Sequence, residues 1–371
     1  MNNKPTQSVW KGTGDEATQD NALVRVLNLG LDLHYRQVTV AMQEDGGRIK
    51  AAGKMGYELF LNWIQKKLGE GWQFNSCYEA GASGYWLHRL LEPLGVRNLV
   101  VVPKVMDPGG KKQKTDQRDS GQLCDALDRY LRGQDKALSV VAVPSLEQEE
   151  KRALIRYHRQ IMADRGRCES RGKGLLCAQG IQVQGPWWGL KGWLALQHDP
   201  QLKDWMKEQL RGWRSKILSA DKEQSLLRER IEALAPALLP KGLGAYSAVV
   251  LEYELRGLGR FQNRRQVASM TGLCPGIHLS DGRGKEGAIN RCGIGLVRWT
   301  LVEAVWRLVI WQPHYPPVRR LATGLVKGKR AKKRLVVQAA RRLAIDLWRL
   351  ASGQTTPEKL GLVMQSIPHK K

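Results

Sequence analysis

"LVRVLNLGLDLHYRQVTVAMQ", residues 23–43, decides the fold. Val24 to Leu31 is apolar and β-branched enough for a central strand, and "QVTVAM" (37–42) follows a tight connection as its hairpin partner. Outward from this hairpin, "GGRIKAAGKM" (46–55) supplies a third strand after a Gly-Gly turn. An amphipathic helix is then expected near 57–68, a strand over 73–78, a helix over 84–94 and an apolar strand over 96–102. After a loop rich in Gly and Lys, a further helix starts near Asp116. The order β-β-β-α-β-α-β-α describes an α/β domain with a mixed sheet.

This order puts Asp32 at the end of the first strand, Glu79 at the end of the fourth, and Asp116 and Asp119 at the start of the last helix. The first and fourth strands can lie side by side, and residues three apart share a helix face, so four carboxylates can meet at one sheet edge. Like charges held that close raise one another's pKa, and a divalent cation removes the repulsion. Hard oxygen ligands suit Mg2+ or Mn2+, and such a site supports phosphodiester chemistry. Each acid also has a plain structural reading: a strand-end Asp is an ordinary turn residue, and Asp116 in "TDQRD" is a good N-cap.

The chain has 371 residues, with 60 Lys+Arg against 35 Asp+Glu and a formal net charge of +25. Positive charge on this scale favours a polyanionic partner, because neutralised phosphates release condensed counterions. Nucleic acid leads, with an anionic membrane surface second. The first twenty residues lack a signal-peptide core, and no later run is apolar over the 18 residues that a membrane span requires, so the expected location is the cytoplasm. The six cysteines form no C-x-x-C pair and read as reduced thiols; Cys274, His278 and Cys292 lack a fourth ligand for zinc.

"LGLDLH" (29–34), "YEAGASGYWL" (78–87) and "KTDQRDS" (114–120) resemble the three acidic motifs of a RuvC-like, ribonuclease-H-like nuclease domain. More narrowly, they resemble those of the DEDD transposases of the insertion-sequence one-ten family, whose loop is similar to "VVPKVMDPGGKKQKTDQRDS" (101–120). Ser120 stands where the family commonly has Ala. The resemblance implies Asp32, Glu79, Asp116 and Asp119 as catalytic ligands of Mg2+ or Mn2+.

The middle of the chain reads as helical and charged. Ser145 is a good N-cap, with acids in the first turn and basic residues beyond. Arg152, Arg156, Arg159, Arg165 and Arg167 are placed either to contact phosphates or on a solvated face. Trp187 and Trp188 read as core or as stacking platforms for unpaired bases. From Met206, the positions Met206, Leu210, Trp213, Ile217, Ala220, Gln224, Leu227, Ile231 and Leu234 alternate by four and three. This is a heptad seam, read as a coiled coil that helps two protomers meet, with packing inside the chain as the other reading.

"LPKGLGAYSAVVLEYEL" (239–255) opens a helix behind Gly242 and Gly244 in the manner of a helix-hairpin-helix element. The block from "FQNRRQ" (261–266) through "GLCPG" (272–276) and "INRCG" (289–293) is similar to the family's second signature, whose nucleophilic serine falls on Ser280. Two departures are Asp281 ahead of Gly282 and Ile294 after Gly293. Without the resemblance, "LSDGRGKEG" (279–287) reads as a surface turn. Nucleic-acid contacts are expected from Lys111, Lys112 and Lys114, from Arg264, Arg265, Arg283, Lys285, Arg291 and Arg298, and from the dense run Lys329, Arg330, Lys332 and Lys333.

The expected organisation is a polar segment over 1–22, the α/β domain over 23–140, a helical coiled-coil region over 141–235, a mainly helical transposase domain over 236–352, and a flexible tail over 353–371. The resemblance implies an insertion-sequence transposase, a site-specific recombinase of donor and target DNA in the bacterial nucleoid. It also implies a covalent phosphoserine intermediate, a structured non-coding bridge RNA as guide, and a dimer or tetramer. The other reading is a Holliday-junction-type endonuclease that uses water as nucleophile.

Overall fold

The computed structural model describes residues 25–103, 116–280 and 283–367; within strands, the side chains at 51–52, 277–280 and 283–286 lie outside the described set. The chain divides into two compact units between Val143 and Pro144.

The first unit contains β1 (Val26–Leu33), β2 (Gln37–Glu44), β3 (Lys50–Gly56), α1 (Tyr57–Gly69), β4 (Gln73–Glu79), α2 (Trp86–Leu91), β5 (Arg97–Val101) and α3 (Asp116–Leu131). The expected order is the observed one. The five strands form a single sheet ordered β3-β2-β1-β4-β5. The β1–β2 and β2–β3 pairs are antiparallel; the helix-connected β1–β4 and β4–β5 pairs are parallel, so the sheet is mixed. Helix α2 begins two residues later than expected, because Gly84 adopts φ +63° and cannot be helical.

Side-chain alternation sorts β1 between two layers. Leu27, Leu29 and Leu31 enter the core with Phe60 and Ile64 of α1 and Leu87 and Leu91 of α2. Asn28, Gly30 and Asp32 take the opposite face, where α3 lies. A Cβ on Gly30 would stand 2.9 Å from the Cys124 Cβ and closer still to the Ser120 carbonyl oxygen. Only a residue without a side chain lets the helix backbone rest on the strand here.

The second unit opens with α4 (Leu146–Ala178), α5 (Leu190–Gln197) and α6 (Asp204–Glu232). Ser145 caps α4 through a full capping box with Gln148, as its sequence position suggests. Helices α4 and α6 run antiparallel. Cys168 shares a cluster with Ile217, Arg165 pairs with Asp221, Tyr157 meets Glu223, and Ile155 packs with Ile231. The heptad seam of α6 is therefore filled by its own chain: Met206, Leu210, Ile217, Leu227 and Ile231 are buried within this unit. Their burial carries no argument for a second protomer. Trp187 takes the core reading, its indole donating to the Glu169 carbonyl over Gly172, while Trp188 is half-buried.

Beyond the hairpin come β6 (Leu238–Pro240), α7 (Ala245–Leu255), α8 (Arg264–Thr271), β7 (Pro275–Ser280), β8 (Arg283–Ile289), α9 (Gly295–Trp311), α10 (Pro316–Ala322), α11 (Lys329–Ala351), α12 (Pro357–Leu360) and β9 (Met364–Ser366). Leu301, Ala304, Val305 and Leu308 of α9 pack with Val336, Ala340 and Leu343 of α11 to form the main core. The boundary expected near 235 is not a division of the fold: Ile155 of α4, Ile231 of α6 and Val249 and Val250 of α7 share one cluster. The tail expected after Gly353 is folded through Ile367. Thr356 caps α12, Leu360 and Leu362 are buried, and β9 pairs with β6. No described helix is long and apolar enough to cross a membrane.

Two substitutions on the α3 contact separate packing from propensity. Gly30→Ala is expected to destabilise the protein by roughly 2–3 kcal/mol through overpacking. Gly121→Ala, where an added Cβ meets nothing within 4 Å, should be neutral or stabilising by up to about 1 kcal/mol. Urea titrations of the two variants check the difference.

A second test addresses the seam. Replacing Leu227 and Ile231 by Glu should lower thermal stability sharply, since each charge would be buried inside the hairpin. An intact melting temperature with a reduced solution mass would instead assign the seam to a contact between subunits.

Candidate active site

The register of the sheet brings the strand-end acids to one edge. Leu31 of β1 pairs with Tyr78 of β4, and each is followed by its acid, Asp32 and Glu79. Tyr78 lies in the α1–α2 core and Cys77 in the α3 cluster, so alternation carries Glu79 to the α3 face, as it does Asp32. Helix α3 arrives on that face with Asp116 and Asp119 in its first turn. The close approach at Gly30 determines where this turn lies.

The tightest grouping among the described residues is Asp32, His34 and Asp116, whose ligand-type atoms all lie within 4.8 Å of one another. His34 Nε2 stands 3.3 Å from Asp32 Oδ2 and 3.3 Å from Asp116 Oδ2. That nitrogen is buried, yet neither contact has hydrogen-bond geometry. Lys54 of β3 donates to Asp116 Oδ2 at 2.7 Å. The Lys54 hydrogen bond, reinforced by its charge and that of His34, holds the Asp116 carboxyl below the usual carboxylate range. Tyr57 donates to the His34 carbonyl at 2.6 Å, and its own phenol is pushed up by burial and then by the Asp32 charge.

His34 and Lys54 escaped the sequence reading. Alternation along "LGLDLH" puts His34 on the same face as Asp32, a signal the sequence did contain. Lys54 becomes visible only once β3 is known to be two strands from β1. Glu79 and Asp119 lie on the same edge but outside the three-residue grouping. Two carboxylates and an imidazole form a donor set suited to a divalent cation, and the His34 nitrogen faces both acids without a hydrogen bond to either.

In the second unit, Ser280 ends β7 and pairs with Arg283 across the tip of the β7–β8 hairpin. The Ser280, Arg283 and Lys285 side chains lie outside the described set, as do residues 281–282 and the expected phosphate ligands Lys111, Lys112 and Lys114. The base of the hairpin is held by a glycine crossing. A Cβ on Gly293 would come within 2.6 Å of the Thr271 carbonyl carbon and closer still to the Gly272 nitrogen. Arg298 donates to the Thr271 carbonyl at 3.5 Å, so this guanidinium faces the hairpin base, whereas Arg291 is exposed with φ 57°.

The remaining basic residues divide by environment. Arg152 is 8 % exposed and lies 3.6 Å from Glu254, itself 1 % exposed; it has no face left for a phosphate. Arg156 grips the same carboxylate with two hydrogen bonds, at 3.0 and 3.2 Å. A buried carboxylate needs such partners. Arg165 pairs with Glu169 and Asp221, and Arg167 with Asp164. Arg159 lies over the Trp299 ring at 4.6 Å. By contrast, Arg264 and Arg265 are exposed in the first turn of α8, and Lys329, Arg330, Lys332 and Lys333 are exposed in the first turns of α11. No acid occupies that first turn of α11, where the helix dipole already disfavours cations, so an external polyanion would relieve the repulsion.

Of the described thiols, burial pushes Cys124 up to about 12 and raises Cys77 further. Both should resist iodoacetamide at pH 8, since thiolate is the reactive form, while exposed Cys177 and Cys292 alkylate readily. Mass mapping of the labelled protein, folded and in urea, checks this pattern.

Residues 240–317 match the Transposase IS116/IS110/IS902 family. The chain is 29% identical over 331 residues to the putative transposase y4rJ of Sinorhizobium fredii, covering 78% of this chain and 79% of that one. It is 21% identical over 290 residues to the transposase for insertion sequence element IS1111A of Coxiella burnetii, covering 74% and 77%. A shorter similarity, 28% over 163 residues, links it to the transposase for insertion sequence element IS1533 of Leptospira borgpetersenii. A segment of the second unit thus matches the Transposase IS116/IS110/IS902 family, and most of the chain is similar to curated transposases.

Proposed function

We propose that the chain is an insertion-sequence transposase that recombines donor and target DNA. The observation that carries this reading is the family match over 240–317, which contains the whole β7–β8 hairpin with Ser280 at its tip. The approach of Asp32 at a strand end to Asp116 at a helix start supports it, as does the mixed five-stranded sheet of the first unit.

On this reading, Asp32, Glu79, Asp116 and Asp119 hold Mg2+ or Mn2+. The metal, when bound, supplies Lewis-acid stabilisation of charge on the scissile phosphate. Ser280 is the nucleophile: its Oγ bonds to phosphorus, the bond from phosphorus to the sugar oxygen breaks, and the departing oxygen gains a proton as the serine loses one. The phosphoserine linkage conserves the bond energy, so a second sugar hydroxyl can reverse the step on a new strand without ATP. Arg264, Arg265 and the α11 cluster bind backbone phosphates. A structured guide RNA belongs to the same proposal, supported by the net charge of +25.

The test is to incubate the protein with Mg2+, donor and target DNA and the RNA transcribed beside its gene, then look in denaturant for protein attached to DNA. An adduct that disappears in Ser280→Ala and in Asp32→Asn is expected. Cleavage without an adduct, unchanged by Ser280→Ala, would assign the protein to the water-using endonucleases.

A further inference from the structure

We infer that His34 supplies a nitrogen ligand to the cation held by Asp32 and Asp116, and that the site consequently prefers Mn2+ to Mg2+. The inference rests on the metal-binding reading of the carboxylates and adds a ligand to it.

Three observations carry it. First, the distances suit a shared ion: neighbouring ligands of an octahedral cation with bonds of about 2.1 Å are separated by about 3 Å. His34 Nε2 lies 3.3 Å from one oxygen of each carboxylate, close to that separation on both sides. Second, the nitrogen is shielded from solvent and makes no hydrogen bond, and the groups it does face are the two carboxylates that would share the ion. Third, its backbone is held on both sides: the His34 N–H donates to the Gln37 carbonyl at 3.0 Å, and its own carbonyl accepts from Tyr57. The imidazole is presented to the carboxylates by a tight turn and a half-buried phenol rather than by a free loop.

Ligand chemistry then sets the preference. Mg2+ is a hard ion that keeps oxygen ligands and water, whereas a first-row transition ion gains from imidazole nitrogen. Among such ions, Mn2+ also tolerates a site made mostly of carboxylates. Lys54 serves as counter-ion to Asp116 without a metal; its half-exposed side chain has room to swing aside when a divalent ion takes that role.

The experiment loads the full-length protein with Mn2+, measures affinity by the loss of free-ion EPR signal, and titrates Mg2+ as competitor. Pulsed EPR of the bound ion reports directly coordinated nitrogen. The wild type is expected to show nitrogen modulation and to bind Mn2+ at least about tenfold more tightly than Mg2+. His34→Ala should lose the modulation and about tenfold in Mn2+ affinity, with Mg2+ affinity changed by less than about threefold. His34→Gln, closer in volume, should do the same and guards against a folding defect, which thermal melts would reveal. Bound Mn2+ without nitrogen modulation, or equal losses for both ions in the two variants, would overturn the assignment of His34. Failure of the wild type to bind either ion, or binding unchanged in Asp32→Asn, would overturn the metal reading of the carboxylates itself.

Discussion

The first unit depends on one contact without a side chain, the approach of α3 to β1 at Gly30. Dispersion and apolar burial alone would let a helix settle on a sheet at about 10 Å, with side chains between the two backbones. Here the Ser120 carbonyl and the Cys124 amide occupy the space where a Cβ would stand. The helix cannot rise or slide without opening that gap, so its first turn is held in register with the end of β1. Asp32 is two residues from Gly30, and Asp119 directly precedes Ser120. Separation in sequence becomes proximity in space through a missing methyl group.

Electrostatics then has to accommodate what packing imposed. Acids gathered at one edge repel, and Lys54 of β3 offsets that repulsion at Asp116. The depressed Asp116 carboxyl is the record of that compensation. The second unit treats its buried acids differently: Glu254 and Asp346 are almost inaccessible and are tied to Arg152, Arg156, Arg342 and Tyr315. Those carboxylates are closed off by arginine and phenol, whereas the edge of the first unit is left partly open.

The reach of local reading shows in particular residues. The β-β-β-α-β-α-β-α order was legible because strand and helix periods differ and Gly-rich turns separate them. The four acids stood out because each sits at an element boundary. His34 was overlooked although its alternation with Asp32 was visible, since one histidine near an acid has many ordinary explanations. Arg152 looked like a phosphate ligand because nothing local announces Glu254, about a hundred residues away. The α6 seam reads as a coiled coil between protomers, yet its buried positions pack inside the chain, because a stripe does not say whether its partner is another helix of the same chain.

The sequence by itself determined the element order, the basic character, the boundary positions of the acids and the glycines that permit close approach. These are properties of short windows, set by backbone sterics, periodicity and charge. Only the tertiary structure decided that Lys54 faces Asp116, that α4 fills the α6 seam, that residues beyond Gly353 return to pair with β6, and which arginines remain exposed. Those outcomes depend on which distant surfaces exclude water together. Burial is shared between segments, and no single segment carries the information for both sides of a contact.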